Sequence, residues 1–205
     1  MQSSLSAYYI EFKDFSTTFK QIRKQKFSYF GEITLMKNIK NNIIYQMKEE
    51  TLYHEKDLAA ILEEIVDLLP LNSEDCFFQF IGYSIKKNIG IIPKQQPFWT
   101  IYMLYEHFPM DFEKEITRLQ KLNKIFEEKI LWFILEDALK ALSLLDKMGR
   151  SFLDYRCNGF FLTENQGLKI FYTNYHKSSI ERIQRQEVCF YKSDYVLIFF
   201  FFNFN

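Results

Sequence analysis

The sequence predicts an α+β fold, and three observations carry that prediction. Apolar segments of strand length crowd the first half of the chain. One amphipathic helix interrupts them. The second half holds a long amphipathic helix followed by a short hairpin. At 205 residues the chain is about one domain in size.

The elements follow in order. Residues 27–37 (FSYFGEITLMK) mix β-branched and aromatic side chains in rough alternation and predict strand; NIKNN (38–42) is polar turn material; residues 43–48 (IIYQMK) predict the returning strand of an antiparallel hairpin. A helix is predicted over 51–69, where Leu58, Ile61, Leu62, Ile65, Leu68 and Leu69 fall on one stripe and Pro70 is the stop. Residues 76–85 (CFFQFIGYSI) and 98–105 (FWTIYMLY) are apolar runs of strand length, joined by the polar loop KKNIGIIPKQQP. These four strand segments and one helix precede residue 106 or so. A connector leads to a helix predicted over 126–147, roughly 30 Å long. Leu131, Ile134, Leu135, Ala138, Leu139, Leu142 and Leu145 form its expected buried stripe, with Gly149 at the C-terminal cap. Residues 159–162 and 168–172 flank TENQG as a short hairpin, and no internal repeat is visible.

Composition narrows the function classes. Lys plus Arg equals Asp plus Glu at 26 each, so the basic excess of a dedicated nucleic-acid binder is missing. Hydrophobic residues make up 48% and charged residues 25%, which is globular rather than disordered composition. Cys76, Cys157 and Cys189 are far apart and in no paired spacing, which argues against a disulfide framework or structural zinc and fits a reducing, cytoplasmic setting. The opening MQSSLSAYYIEFKDF lacks a cationic region followed by an apolar core, so no signal peptide is expected. No apolar run reaches the ~18 residues of a membrane span; the nearest is YVLIFFFFNFN at 195–205. His54, His107 and His176 show no metal-ligand spacing.

Several partial motifs, taken together, resemble the protein-kinase family. Tyr45-Gln46-Met47-Lys48 lies where that family has V-A-I-K on its third strand, and Glu64 lies on the following helix. Helical geometry prefers Glu64 over Glu63, because Glu64 flanks the apolar stripe and Glu63 points away from it. The run EEKILWFILEDALKALSLLDKMGRSFLDYRCNGFFLTENQGLKIFYTN is similar to the family's segment ending in H-R-D-L-K-P-E-N, a hairpin and D-F-G. Without gaps, Asp154 takes the place of the catalytic-loop aspartate, Arg156 of its lysine, Gly159 of its metal-binding asparagine, and Tyr172-Thr173-Asn174 of D-F-G. Glu187 matches the A-P-E glutamate, and Lys192-Ser193-Asp194 the start of the next core helix. The resemblance covers about residues 26–200.

The resemblance implies a two-lobe fold. Residues 1–25 would be an N-terminal extension. Residues 26–106 would form a five-stranded antiparallel upper lobe with one helix, and 107–205 an incomplete helical lower lobe. It implies that Lys48, ion-paired to Glu64, holds a nucleotide's phosphates, that Gly31, Ile33 and Glu106 line the nucleotide site, and that Asp154 and Arg156 are the catalytic pair.

The departures decide the expected activity. Of the Gly-rich loop only Gly31 remains, with Lys26 and Ser28 in the other two glycine positions. Gln46 replaces the small residue that roofs the adenine pocket. Tyr172 and Gly159 replace both magnesium ligands. Losing the metal should cost more than losing a general base, which is worth roughly 10²–10⁴-fold. Asp154 then reads as a vestigial base, and Ser178 and Ser179 as solvated loop. The implied function is that of a pseudokinase, a binding or regulatory module. A divergent active serine/threonine kinase and a non-functional fragment are the alternatives. Weak ATP binding without magnesium is expected, the protein partner is open, and neither nucleic acid nor membrane is expected. Residues 195–202 would begin a helix that later helices wrap, so the chain as it stands is expected to aggregate.

Overall fold

The computed structural model describes residues 5–27, 31–88, 97–107, 110–149, 159–163 and 167–171. The chain divides into two units. The first comprises Met1–Ser73 and Gln79–His107; the second comprises Glu74–Phe78 and Phe108–Asn205.

The first unit is built on a five-stranded antiparallel sheet: β1 (Phe19–Phe27), β2 (Gly31–Asn38), β3 (Ile44–Leu52), β4 (Phe80–Asn88) and β5 (Phe98–Glu106), in the order β1-β2-β3-β5-β4. β5 lies between β3 and β4, and its residues Thr100, Ile101, Met103, Leu104 and Tyr105 are all buried. Burial on both faces explains why its sequence is a nearly continuous apolar run rather than an alternating one. The expected β2–β3 hairpin is present. Asn42 sits in the left-handed region (φ 62°). The side chains of Asn38 and Asn41 accept the backbone N–H groups of Lys40 and Ile43 at 2.9 and 3.0 Å. Asparagine tolerates that conformation and supplies those acceptors, which is why NIKNN turns the chain.

Three strand readings are corrected. The segment 27–37 is not one strand: β1 ends at Phe27 and β2 begins at Gly31. β1 itself (FKQIRKQKF) lies largely inside the segment expected as an extension, and its Lys20, Gln21, Ile22, Arg23 and Lys24 are exposed. It is an edge strand, and a charged edge carries no apolar alternation to read. β4 starts at Phe80 rather than Cys76.

α1 (Phe12–Thr18) precedes β1 and lies over one face of the sheet, where Phe15 is buried with Met36, Met47 and Leu104. Phe12, Phe15 and Tyr102 stack at 5.4 and 5.7 Å, and Lys86 lies over the Phe12 ring at 5.1 Å. The chain before α1 covers the β4 edge: Ile10 N–H donates to the Tyr83 carbonyl at 2.8 Å and Tyr83 N–H to that of Tyr8 at 2.9 Å. Gly82 permits this approach, since a Cβ there would lie 2.7 Å from the Tyr8 carbonyl oxygen.

α2 (Glu55–Leu68) follows β3, shorter than expected because β3 continues to Leu52; it buries Ile61, Ile65 and Leu68. Pro70 falls within a 3-10 turn, Leu69–Ser73. There Asn72 bonds both the N–H and the carbonyl of Phe80, each at 2.8 Å.

The second unit contains β6 (Met110–Asp111), α3 (Phe112–Lys121), α4 (Glu128–Lys147), β7 (Phe160–Leu162) and β8 (Leu168–Ile170). The last two form the expected hairpin, and β6 pairs with β7. α3 lies in what reads as a connector, although Phe112, Ile116 and Leu119 fall at helical spacing as a short apolar stripe among charged residues. α4 buries Ile134, Ala138, Ala141 and Leu145, and Gly149 (φ +65°) follows it as expected. Leu139, placed on the buried stripe by periodicity, is 57% exposed, while Ala141 is fully buried. Cys76–Phe78 runs beside β8, with Ile170 N–H donating to the Cys76 carbonyl at 2.9 Å and Phe78 N–H to the Ile170 carbonyl at 3.2 Å. Phe78 packs edge-on against Phe161 and Phe171. Among the described residues no helix is long and apolar enough to cross a membrane.

Candidate functional site

Antiparallel partners share a face of the sheet. Gln46 on the central strand β3 is the partner of Leu35 on β2 and of Tyr105 on β5; Lys48 is the partner of Met103. Ile33 precedes Leu35 by two residues and so lies on the same face. The result is one patch of the first unit, Ile33, Leu35, Gln46, Lys48, Met103 and Tyr105, on the face opposite Phe15 and Met47.

Lys48 is half-buried, and its ion pair is with Glu50 on its own strand; the two side chains are 29% and 30% exposed. Sequence reasoning paired Lys48 with Glu64. Glu64 lies half-buried on α2, whereas its neighbour Glu63 is exposed. Tyr105 is buried and its hydroxyl donates to Met103 Sδ at 3.7 Å. Its pKa is pushed well up, first by burial and then by the Glu64 and Glu50 carboxylates. Both carboxylates therefore act on one buried phenol, and Glu50 is the one paired with Lys48.

Gln46 is 5% exposed, and its Nε2 lies 3.3 Å from His107 Nδ1. An amide N–H can only donate, so Nδ1 accepts and the imidazole is neutral at that nitrogen. Burial, and then the Arg23 guanidinium, hold the His107 pKa below its usual value, which favours the same neutral form. Glu106 is engaged at both ends: Oε1 accepts the Gln79 N–H at 2.7 Å, and its own N–H donates to the Gln79 carbonyl at 3.0 Å. Gly31 opens β2 opposite Phe27.

The remaining predicted residues are elsewhere. Asp154, Arg156 and Tyr172 lie outside the described residues, as do Ser178, Ser179 and 195–202. Gly159, in the second unit, is buried, and its carbonyl accepts the Phe171 N–H at 3.0 Å. Cys76 is buried, and burial raises its thiol pKa. No group of three or more His, Cys, Asp or Glu suited to a metal ion occurs among the described residues.

Sequence reasoning missed Glu50, Tyr105 and the Gln46–His107 bond. Glu50 had a signal: two residues along a strand from Lys48, it must share its face. The bond joins residues 61 apart and had none. The chain matches no family model and no curated protein.

Proposed function

We propose that this chain is a protein-kinase-like domain without efficient phosphotransfer, a pseudokinase that serves as a binding or regulatory module. Its upper lobe is the five-stranded sheet with its helices, which takes in β1 from Phe19 rather than starting at residue 26, and residues from 107 on belong to its lower lobe. A five-stranded antiparallel sheet with one helix between its third and fourth strands supports this reading, as does the place of Lys48 on the third strand and Glu64 on that helix.

The observation that carries the loss of activity is Gln46. Where the family keeps a small residue, this chain has a long amide, buried and bonded to His107. A nucleotide base stacked there would displace a buried hydrogen-bonded side chain and leave the His107 nitrogen without its donor, a cost of about 1–3 kcal/mol. The Glu106 backbone N–H is already committed to Gln79, and Lys48 to Glu50. These residues do not fit a nucleotide held in the way the resemblance implies. Gly159 brings no side-chain oxygen to a metal, and at neutral pH neither does a phenol at Tyr172.

The test is phosphate transfer from radiolabelled ATP with magnesium to generic protein substrates. Wild type should transfer no more than a Lys48→Met control. Transfer that depends on Asp154 would overturn the reading in favour of a divergent active kinase.

A further inference from the structure

We infer that Glu50 is an internal anion that holds the Lys48 ammonium in competition with phosphate. The inference rests on the reading of Lys48 as the family's phosphate-holding lysine, and adds what keeps it from that task. Lys48 and Glu50 sit at i and i+2 of β3, so the pleat points both side chains to one face, and no loop movement is needed to bring them together. They form an ion pair in which each partner is about two-thirds buried. Glu50 is itself largely withdrawn from solvent, its side chain 30% exposed. β3 is paired to β5 from Tyr45 through Leu52, with Lys48 opposite Met103 and Glu50 opposite Ile101, so the ladder on that side holds the backbone at Glu50 in place. A phosphate approaching Lys48 must displace one carboxylate from the ammonium and then lie beside it. Both effects oppose anion binding, and both vanish when the carboxylate becomes an amide.

The class of ligand that an exposed Lys48 would take is a polyphosphate. The probe is inorganic tripolyphosphate, which has no base and so is indifferent to Gln46 and His107. Calorimetric titration of the full chain at low ionic strength should show Glu50→Gln binding tripolyphosphate about tenfold more tightly than wild type, the scale of one like charge removed at the protein margin. The gain should disappear in Glu50→Gln/Lys48→Met. Glu50→Ala should repeat it, and a thermal melt of each variant reports folding separately. Equal affinity of wild type and Glu50→Gln would overturn the inference, as would a gain that survives Lys48→Met. The outcome is independent of the transfer assay: an active wild type would remove the pseudokinase reading and leave the Glu50 result standing, and the reverse also holds.

Discussion

One face of the five-stranded sheet packs aromatic and methionine side chains under the chain's own N-terminal segment, with Phe15 set among Met36, Met47 and Leu104. The other face carries Gln46, Lys48 and Glu50 in a row down the central strand. The same strand serves both, through the two-residue alternation of its side chains. The first face is held by apolar burial, which is non-directional and tolerant of sequence. The second buries Ile33, Leu35, Met103 and Tyr105 as well, and adds a hydrogen bond and an ion pair, which are directional and specific. The first face carries apolar packing alone; on the proposed reading, the second is the one that would meet a ligand.

That contrast orders the expected effects. Phe15→Ala should be the most damaging single change, costing roughly 3–5 kcal/mol in denaturant unfolding. Gln46→Leu removes one hydrogen bond and leaves the His107 nitrogen unsatisfied, so it should cost about 1–3 kcal/mol. If the two losses were equal, the contrast between the faces would fail. Gly82→Ala sharpens it: the new methyl would meet the Tyr8 carbonyl, so the N-terminal segment must shift, at about 1–3 kcal/mol. Amide exchange at Ile10 and Tyr83 should rise together with that loss.

A smaller effect concerns pH. His107 has a folded pKa below its unfolded value of about 6.5, because burial and Arg23 disfavour the imidazolium. Between those two values the unfolded chain binds more protons than the folded one, so stability rises with pH. The contribution is full above about pH 6.5 and is lost as pH falls from there toward the folded value. Melting temperatures of wild type should therefore drop across that window more steeply than those of His107→Gln. A parallel decline would contradict the burial and Arg23 effects that keep His107 neutral. Smallest of all, Lys24→Gln should leave the melting temperature unmoved, because the Lys24–Glu32 pair at 2.5 Å joins two exposed side chains.

What was legible in the sequence follows the same division. β2, β3, β5 and the β7–β8 hairpin could be read because apolar alternation or continuous apolar runs mark strands that face a core. The turn at NIKNN could be read from asparagine chemistry. β1 could not, because a solvated edge shows only charge; α3 was passed over although Phe112, Ile116 and Leu119 fall at helical spacing, a stripe of only three residues. Leu139 was misplaced and Ala141 overlooked because periodicity sees size and not the neighbour that covers a side chain; a helix line pressed against another element favours alanine. At the site, Gln46 announced itself as a misfit in its motif, whereas its bond to His107 is a tertiary fact. The Lys48–Glu50 pair was available from strand geometry and was passed over in favour of Glu64 on the following helix.

The most direct test of the central claim is a thermal-shift titration of the full chain with ATP, with and without magnesium, for wild type and Gln46→Ala. A ligand that binds only the folded state raises the melting temperature with its concentration. Wild type is predicted to show no shift under either condition, and Gln46→Ala to gain a shift that does not depend on magnesium. A dose-dependent, magnesium-dependent rise in wild type would contradict the account.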